Sequence, residues 1–337
     1  MGSIIHKVRN TGRNLGLIKG AAIAGLRLRR VPLFASLEVT RRCNGLCQYC
    51  HSVASATDDL PAATWTAIID DLAASGTRVV SFTGGEPLLR KDLPRLVDHA
   101  VARNIEVKLN TNGMLLPAAL PRLRGLSSIS LSVDGVREVN DAIRGRGAFD
   151  AAVDGMSAAR AHGVPFKIFT VLSRDNLDRL PEFLEFISER HALTQFQPIY
   201  NLYLRQHVEV NPRQPEPAAM RRAIDLIVSA KRRGYPVQNS LAGLAYLRRW
   251  PGPAPITCGG GRFFVRITAT GDMEICGLQG DTTPGGIRAQ DGVMRGMERL
   301  GVTGCATCWC AARLELNLAL GLDARAARYV LSYIWSQ

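Results

Sequence analysis

Between residues 33 and 202 the chain alternates short apolar runs with amphipathic stretches six times, and this rhythm limits the fold more than any other feature. The runs LFASLEVT (33–40), RVVSFTGGEP (78–87), IEVKLNTNG (105–113), SSISLSVDG (127–135), VPFKIFTVLS (164–173) and LTQFQPIYN (193–201) read as strands. Between them, AATWTAIIDDLAASG (62–76), LPRLVDHAVARN (93–104), AFDAAVDGMSAARAHG (148–163) and LDRLPEFLEFISERH (177–191) carry apolar residues at helical spacing. LPAALPRLRG (116–125) reads as a short helix that Pro121 interrupts. Apolar strands alternating with helices predict an α/β fold, a parallel sheet covered by helices. Periodicity alone does not separate an open doubly wound sheet from a barrel. In both, function gathers where the strands end. Thr83, Asn112, Asp134, Asn176 and Asn201 stand at those ends.

Past residue 202 the rhythm stops. EPAAMRRAIDLIVSAKRRG (216–234) reads as one helix, and RRWPGPAPITCGGG (248–261) as a Gly/Pro-rich connector. RFFVRITATGDMEIC (262–276) reads as a β-hairpin turning at Thr270-Gly271-Asp272. GCATCWC (304–310) then leads into a C-terminal helix over 314–337. The expected divisions are a basic arm at 1–32, a core at 33–202, a helical linker at 203–250 and a small domain at 251–337.

The 337-residue chain has a formal charge of +13, which concerns partners rather than fold. The charge admits nucleic acid, an anionic membrane surface, or an anionic cofactor or substrate. No nucleic-acid-binding motif accompanies it, so nucleic acid is not expected. Residues 1–30 contain no acidic residue, and Lys19 and Arg27 interrupt their apolar part. They fit neither a signal peptide nor a membrane span. A cytoplasmic location is expected, where thiols stay reduced and eight cysteines in two clusters point to metal rather than disulfides. The arm's basic and apolar residues also suit peripheral contact with a membrane surface.

Cys43, Cys47 and Cys50 follow the first strand within eight residues. Three thiolates converging on one centre leave a fourth position open, as in a catalytic rather than a sealed metal site. Thiolates suit iron–sulfur clusters, and His51 would complete a structural zinc site instead. Tyr49 stands between the last two cysteines, and Gly84-Gly85-Glu86-Pro87 ends the second strand.

Together these motifs resemble the radical S-adenosylmethionine (SAM) superfamily. The resemblance implies a partial (β/α)6 TIM-like barrel over 33–202, a 4Fe-4S cluster on Cys43, Cys47 and Cys50, and SAM on the open iron. It implies reductive cleavage of SAM to a 5′-deoxyadenosyl radical that abstracts hydrogen from a substrate. A flavodoxin- or ferredoxin-type reductant would supply the electron. Gly84, Gly85 and Glu86, with Pro87, match the loop that holds the SAM amino group. Tyr49 becomes a neighbour of the adenine. Ser132 and Asp134 become candidates for the ribose hydroxyls, Asn112 for the wall of the site and Arg174 for the SAM carboxylate. Pro198 and Ile199 are candidates to flank the adenine.

Cys258 and Cys276 frame the expected hairpin, with Gly271 five residues before Cys276. This pattern resembles the opening of a SPASM or Twitch auxiliary-cluster domain, here shortened to Cys305, Cys308 and Cys310 downstream. The resemblance implies a small Fe–S hairpin-plus-helix domain with a second 4Fe-4S cluster held by four of those five thiols. A structural zinc remains the alternative there. The expected function is radical SAM oxidation or rearrangement of a small molecule, a lipid-like compound or a ribosomal peptide. A non-catalytic Fe–S carrier or zinc scaffold is the competing class.

Overall fold

The computed structural model describes residues 30–50, 59–199, 211–277, 286–301 and 307–320. The arm through residue 29, His51, Asn201, Cys305 and the chain beyond 320 lie outside the described residues. Six strands, β1 (Phe34–Thr40), β2 (Val79–Gly84), β3 (Glu106–Thr111), β4 (Leu126–Ser132), β5 (Phe166–Leu172) and β6 (Thr194–Pro198), occupy the six apolar runs. The crossovers contain α1 (Ala62–Ala74), α2 (Leu93–Ala102), α3 (Leu116–Ala119), α4 (Arg137–Arg144), α5 (Ala148–Ala161) and α6 (Leu180–Glu189). Pro121 ends α3, and the chain continues as a 3₁₀ turn over Leu120–Arg122. The sequence reading did not anticipate α4.

All neighbouring pairs among these six strands are parallel, and their order in the sheet follows the chain. Right-handed crossovers advancing in one direction place every helix on the same face, which curls the sheet as in a barrel. This order resolves the ambiguity in favour of the partial TIM-like barrel. One face of the pleat, with Leu37, Phe82, Leu109, Ile129, Ile168 and Phe196, is buried in the hydrophobic core. The opposite face carries Lys108, Ser130, Lys167 and Gln195, and the Lys167 ammonium donates to Gln195 Oε1 at 2.7 Å. That face lines the barrel's concave side.

Further segments cover the barrel's edges. The hairpin of β7 (Phe264–Ile267) and β8 (Met273–Glu274) adds β7 to β1 in parallel, so the eight-stranded order is 6-5-4-3-2-1-7-8. Arg266 on β7 pairs with both Glu38 of β1 and Glu274 of β8, fixing the hairpin to the sheet. At the other edge, Thr194 accepts Gln238 N–H and donates to Pro236, while the Asn239 amide bridges both backbone groups of Phe196. Pairing at the edges protects strands that would otherwise offer free backbone groups. The remaining helices are α7 (Pro217–Arg232), α8 (Leu241–Leu247), α9 (Val293–Leu300) and α10 (Ala311–Leu320). Among the described residues, no helix is long and apolar enough to cross a membrane.

Candidate functional site

The first thiol loop leaves β1 and runs against the loop that leaves β2. Gly85 N–H donates to Thr40 C=O and Glu86 N–H to Arg42 C=O, both at 2.8 Å. A Cβ at Gly84 would collide with the Thr40 carbonyl, and one at Gly85 with the carbonyls of Arg41 and Arg42. Both glycines are therefore required by the close approach of two strand ends. Pro87, buried, opens the 3₁₀ turn Pro87–Leu89. Beyond Arg42 the loop carries three half-buried thiols, Cys43, Cys47 and Cys50. Cys43 Sγ accepts Gly45 N–H at 3.3 Å. A Cβ at Gly45 would lie 3.6 Å from Cys43 Sγ, 3.8 Å from Cys47 Sγ and 3.6 Å from Asn112 Nδ2, so two thiols and the Asn112 amide flank one bare backbone position. Burial pushes the Cys47 thiol up to about 11, against the pull of Arg144.

Glu86 has no solvent exposure. Its carboxylate accepts Leu88 N–H at 3.1 Å, Thr111 O–H at 2.8 Å and Asn112 N–H at 2.8 Å. Burial raises its pKa, and these donors oppose the rise. It thus caps the 3₁₀ turn and fixes the end of β3. Asn112, held there, reaches Asn44 Oδ1 on the thiol loop at 2.8 Å.

Asp134, just past β4, is also buried. Its Oδ1 accepts Val171 N–H at 2.9 Å, and Oδ2 accepts the Tyr49 hydroxyl at 2.7 Å. Ser132 remains half-buried on the same strand. Arg174 lies at the rim, its side chain 58% exposed and 3.8 Å from Asp175. Pro198 and Ile199 are both buried, and Ile199 N–H donates to Leu172 C=O at 2.8 Å.

Arg144, at the end of α4, was not among the expected site residues. Its Nε lies 2.7 Å from Asp134 Oδ2, its Nη2 donates to the Tyr49 hydroxyl at 2.5 Å, and its Nη1 reaches Cys47 Sγ at 3.7 Å. Burial opposes its charge, but Asp134, Tyr49 and Cys47 outweigh that and hold its pKa above the ordinary value. A sequence signal did exist: Asn140 and Arg144 stand four apart, on one helical face. Asn140 Oδ1 accepts Asp134 N–H at 2.9 Å, so the face carrying both turns towards the end of β4.

The second set of thiols assembles from three segments. Cys258 precedes β7 and its Sγ accepts Gly260 N–H at 3.4 Å. Cys276 follows β8, and Cys308 and Cys310 precede α10. Burial, then the neighbouring thiols of Cys310, Cys258 and Cys276, push the Cys308 thiol up, which places all four in one electrostatic neighbourhood. The Tyr246 hydroxyl accepts Cys308 N–H at 2.9 Å, and Gln197 Oε1 on β6 accepts Ala311 N–H at 3.0 Å. Asn317 of α10 accepts Gly259 N–H beside Cys258 at 3.0 Å. Among the described residues, no three His, Cys, Asp or Glu side chains converge as a single-ion site.

Lys167 connects this region to the concave face. Burial and Lys108 lower its pKa to about 7, while Cys310 acts in the opposite sense. The face is therefore polar near the second thiols, with Lys167 only partly charged around pH 7.

The profile of the Radical SAM superfamily matches residues 37–187. The PqqA peptide cyclase of Xanthomonas oryzae pv. oryzae (strain MAFF 311018) is 33% identical over 258 residues, which cover 73% of this chain and 68% of that protein. The Fe-coproporphyrin III synthase of Methanosarcina barkeri (strain Fusaro / DSM 804) is 35% identical over 159 residues, covering 45% of this chain but only 40% of that protein. Among solved structures, Streptococcus suis SuiB bound to precursor peptide SuiA superposes with a TM-score of 0.64 at 16% identity, over 81% of this chain and 65% of that one. The last is a likeness of fold. The chain belongs to the radical SAM superfamily, and membership implies a 4Fe-4S cluster and SAM.

Proposed function

We propose that this chain reductively cleaves SAM at a cluster held by Cys43, Cys47 and Cys50, and uses the resulting radical to modify a peptide. The observation that carries the reading is the packing of the thiol loop against Gly84–Glu86, with Cys43 and Cys47 flanking Gly45. The donor set fits: three thiols serve three irons and leave the fourth for SAM. When bound, the cluster supplies the electron that splits SAM into methionine and a 5′-deoxyadenosyl radical, which takes a hydrogen atom from the substrate.

The residues around the thiols bind and orient. Gly84 and Gly85 let the two loops meet, and their backbone, with Asn112, forms the wall for the methionine end of SAM. Glu86 acts through Asn112 and Thr111 by fixing both. Tyr49, locked by Asp134 and Arg144, would offer its ring to the adenine, and Ser132 would serve the ribose. Pro198 and Ile199, both buried, would back the adenine end of the site from the end of β6, and Arg174 at the rim would meet a carboxylate.

The second thiols fit an auxiliary 4Fe-4S cluster with Cys258, Cys276, Cys308 and Cys310 as ligands. Four thiolates would close it, which suits electron transfer from a substrate radical better than substrate ligation. Cys305 is then the cysteine left over. The substrate reading rests on the peptide cyclase, a relative matched over 73% of this chain and 68% of its own. A tetrapyrrole is the second reading, favoured by the likeness to Fe-coproporphyrin III synthase and by the lysines on the concave face. A flavodoxin- or ferredoxin-type protein would deliver the electron.

The test is anaerobic. The full chain, reconstituted with iron and sulfide, is reduced with dithionite and given SAM. 5′-Deoxyadenosine and methionine are expected. An intact cluster that yields neither, with candidate precursor peptides or an iron-tetrapyrrole precursor of Fe-coproporphyrin present, sinks the reading. Whichever substrate class raises 5′-deoxyadenosine above the background decides between peptide and tetrapyrrole.

A further inference from the structure

Arg144 is a cation buried beside a thiol, and the steps proposed above give it no task of its own beyond locking Tyr49. It touches three things at once: Cys47 Sγ at 3.7 Å, the Tyr49 hydroxyl at 2.5 Å and Asp134 Oδ2 at 2.7 Å. Its guanidinium also lies over the Tyr49 ring, 5.7 Å from the centroid. The same helix end grips the thiol loop by its backbone. Gln48 N–H donates to Ile143 C=O at 2.9 Å, and Gln48 Nε2 to Ala142 C=O at 2.7 Å. Three consecutive residues at the end of α4 therefore hold the loop between Cys47 and Cys50.

The Nε–Oδ2 approach is close but off the line of a good hydrogen bond, so Asp134 acts on Arg144 as a counter-charge. With Tyr49 Oη and Cys47 Sγ accepting from the two terminal nitrogens and Asp134 beside Nε, each guanidinium nitrogen has its own neighbour. A neutral or shorter side chain cannot reproduce that set. A donor aimed at a ligating sulfur, and a positive charge near it, both stabilise the electron-rich state of an iron–sulfur cluster. Asp134 works in the opposite sense, since it partly cancels the charge.

We propose that Arg144 is a positioning residue that holds Cys47 and makes the SAM-binding cluster easier to reduce, with Asp134 setting how much of its charge the cluster feels. The inference rests on the proposed cluster site at Cys43, Cys47 and Cys50. It assigns opposite signs to the two members of one ion pair. Loss of Arg144 hinders reduction, and loss of the Asp134 charge assists it. A purely structural role would move both variants alike, through poorer cluster loading.

The test is an anaerobic redox titration of the full, reconstituted chain followed by electron paramagnetic resonance. The signal that changes when SAM is added identifies the relevant cluster, even with a second one present. In Arg144→Gln the ratio of reduced to oxidised cluster at a fixed potential is expected to fall about tenfold, or about 59 mV for one electron. Arg144→Lys keeps the charge and is expected to recover much of that loss. Asp134→Asn is expected to raise the ratio. Unchanged ratios in Arg144→Gln and Asp134→Asn, or shifts of the same sign, overturn the proposal. If Arg144→Gln takes up no iron, the sign of the Asp134→Asn shift decides. If all three variants stay folded by circular dichroism but take up no iron, the tuning is refuted and Arg144 only assembles the loop. A wild-type chain with no SAM-responsive signal would instead refute the cluster site itself, a distinguishable failure.

Discussion

The two sets of thiols are built in opposite ways. Cys43, Cys47 and Cys50 come from one loop, which the rest of the barrel holds from outside through Gly85, Asn112 and Ile143. Cys258, Cys276, Cys308 and Cys310 come from segments on either side of a hairpin and ahead of a helix. The first set is a local device mounted on a finished scaffold. The second is part of the scaffold, because filling it would tie the β7–β8 hairpin to α10 and thereby to β6. A site made from one loop leaves room for an outside ligand, whereas one made from distant segments is suited to closing them together.

This contrast separates the effects of losing either set. The largest expected effect is that of Cys47→Ala. SAM cleavage should fall below detection and about four irons per chain should be lost. The thermal midpoint should move less than in the second set, because among the described distant elements that thiol meets only Arg144 at the end of α4. Cys308→Ala should also lose about four irons. Here the reconstituted chain should be destabilised by roughly 2 kcal/mol or more, a loss of the size expected when a metal tie is removed. Equal destabilisation by the two variants in calorimetry would erase the contrast.

Gly85→Ala sharpens it from the scaffold's side. The added methyl would meet the Arg41 and Arg42 carbonyls, so the first thiol loop must shift. A loss of roughly 1–3 kcal/mol is expected, along with weaker SAM binding by equilibrium dialysis. Gly145→Ala is a control in which the methyl meets nothing within 4 Å, although the φ of +105° there carries its own backbone strain. If it weakens SAM binding as much as Gly85→Ala does, close approach is not the reason for the glycine.

The smallest expected effect concerns Lys167, beside the second set. Burial lowers its pKa in the folded chain to about 7, well below the ordinary lysine value, so the folded chain binds fewer protons there than the unfolded chain between those values. Stability is therefore reduced at and below pH 7, and the reduction fades as the pH rises towards the unfolded value. Lys167→Gln in the iron-free chain should be more stable than wild type at pH 6, by a gap that closes towards pH 10. Loss of the donor to Gln195 Oε1 in the variant offsets part of the gap. A gap that is constant with pH in denaturant titrations would show that Lys167 is not held near neutrality.

Legibility in the sequence followed the same division. The six strands and the spacing of Cys43, Cys47 and Cys50 are local patterns, and the structure reproduces the strands within a few residues. The sheet order was not legible, because helix and strand periods say nothing of which strands touch. Nor was the register that sets β7 beside β1, since that contact joins residues far apart in sequence. Arg144 escaped for a related reason. The segment REVNDAIR is short and mostly polar, and although Val139 and Ile143 stand at helical spacing, the partners that make Arg144 a site residue lie on other elements. Glu86 and Asp134 stood out in the sequence as candidates through their motifs. Their burial and their protein partners were not readable, because they depend on how three strand ends meet.

The most direct measurement of the two-centre account is iron content alongside SAM cleavage in the wild type and in Cys308→Ala. The account predicts about eight irons in wild type and about four in the variant, which should still release 5′-deoxyadenosine from SAM under dithionite. About four irons with stoichiometric zinc in wild type, or a Cys308→Ala chain that stays folded and half-loaded yet cleaves no SAM, would contradict it.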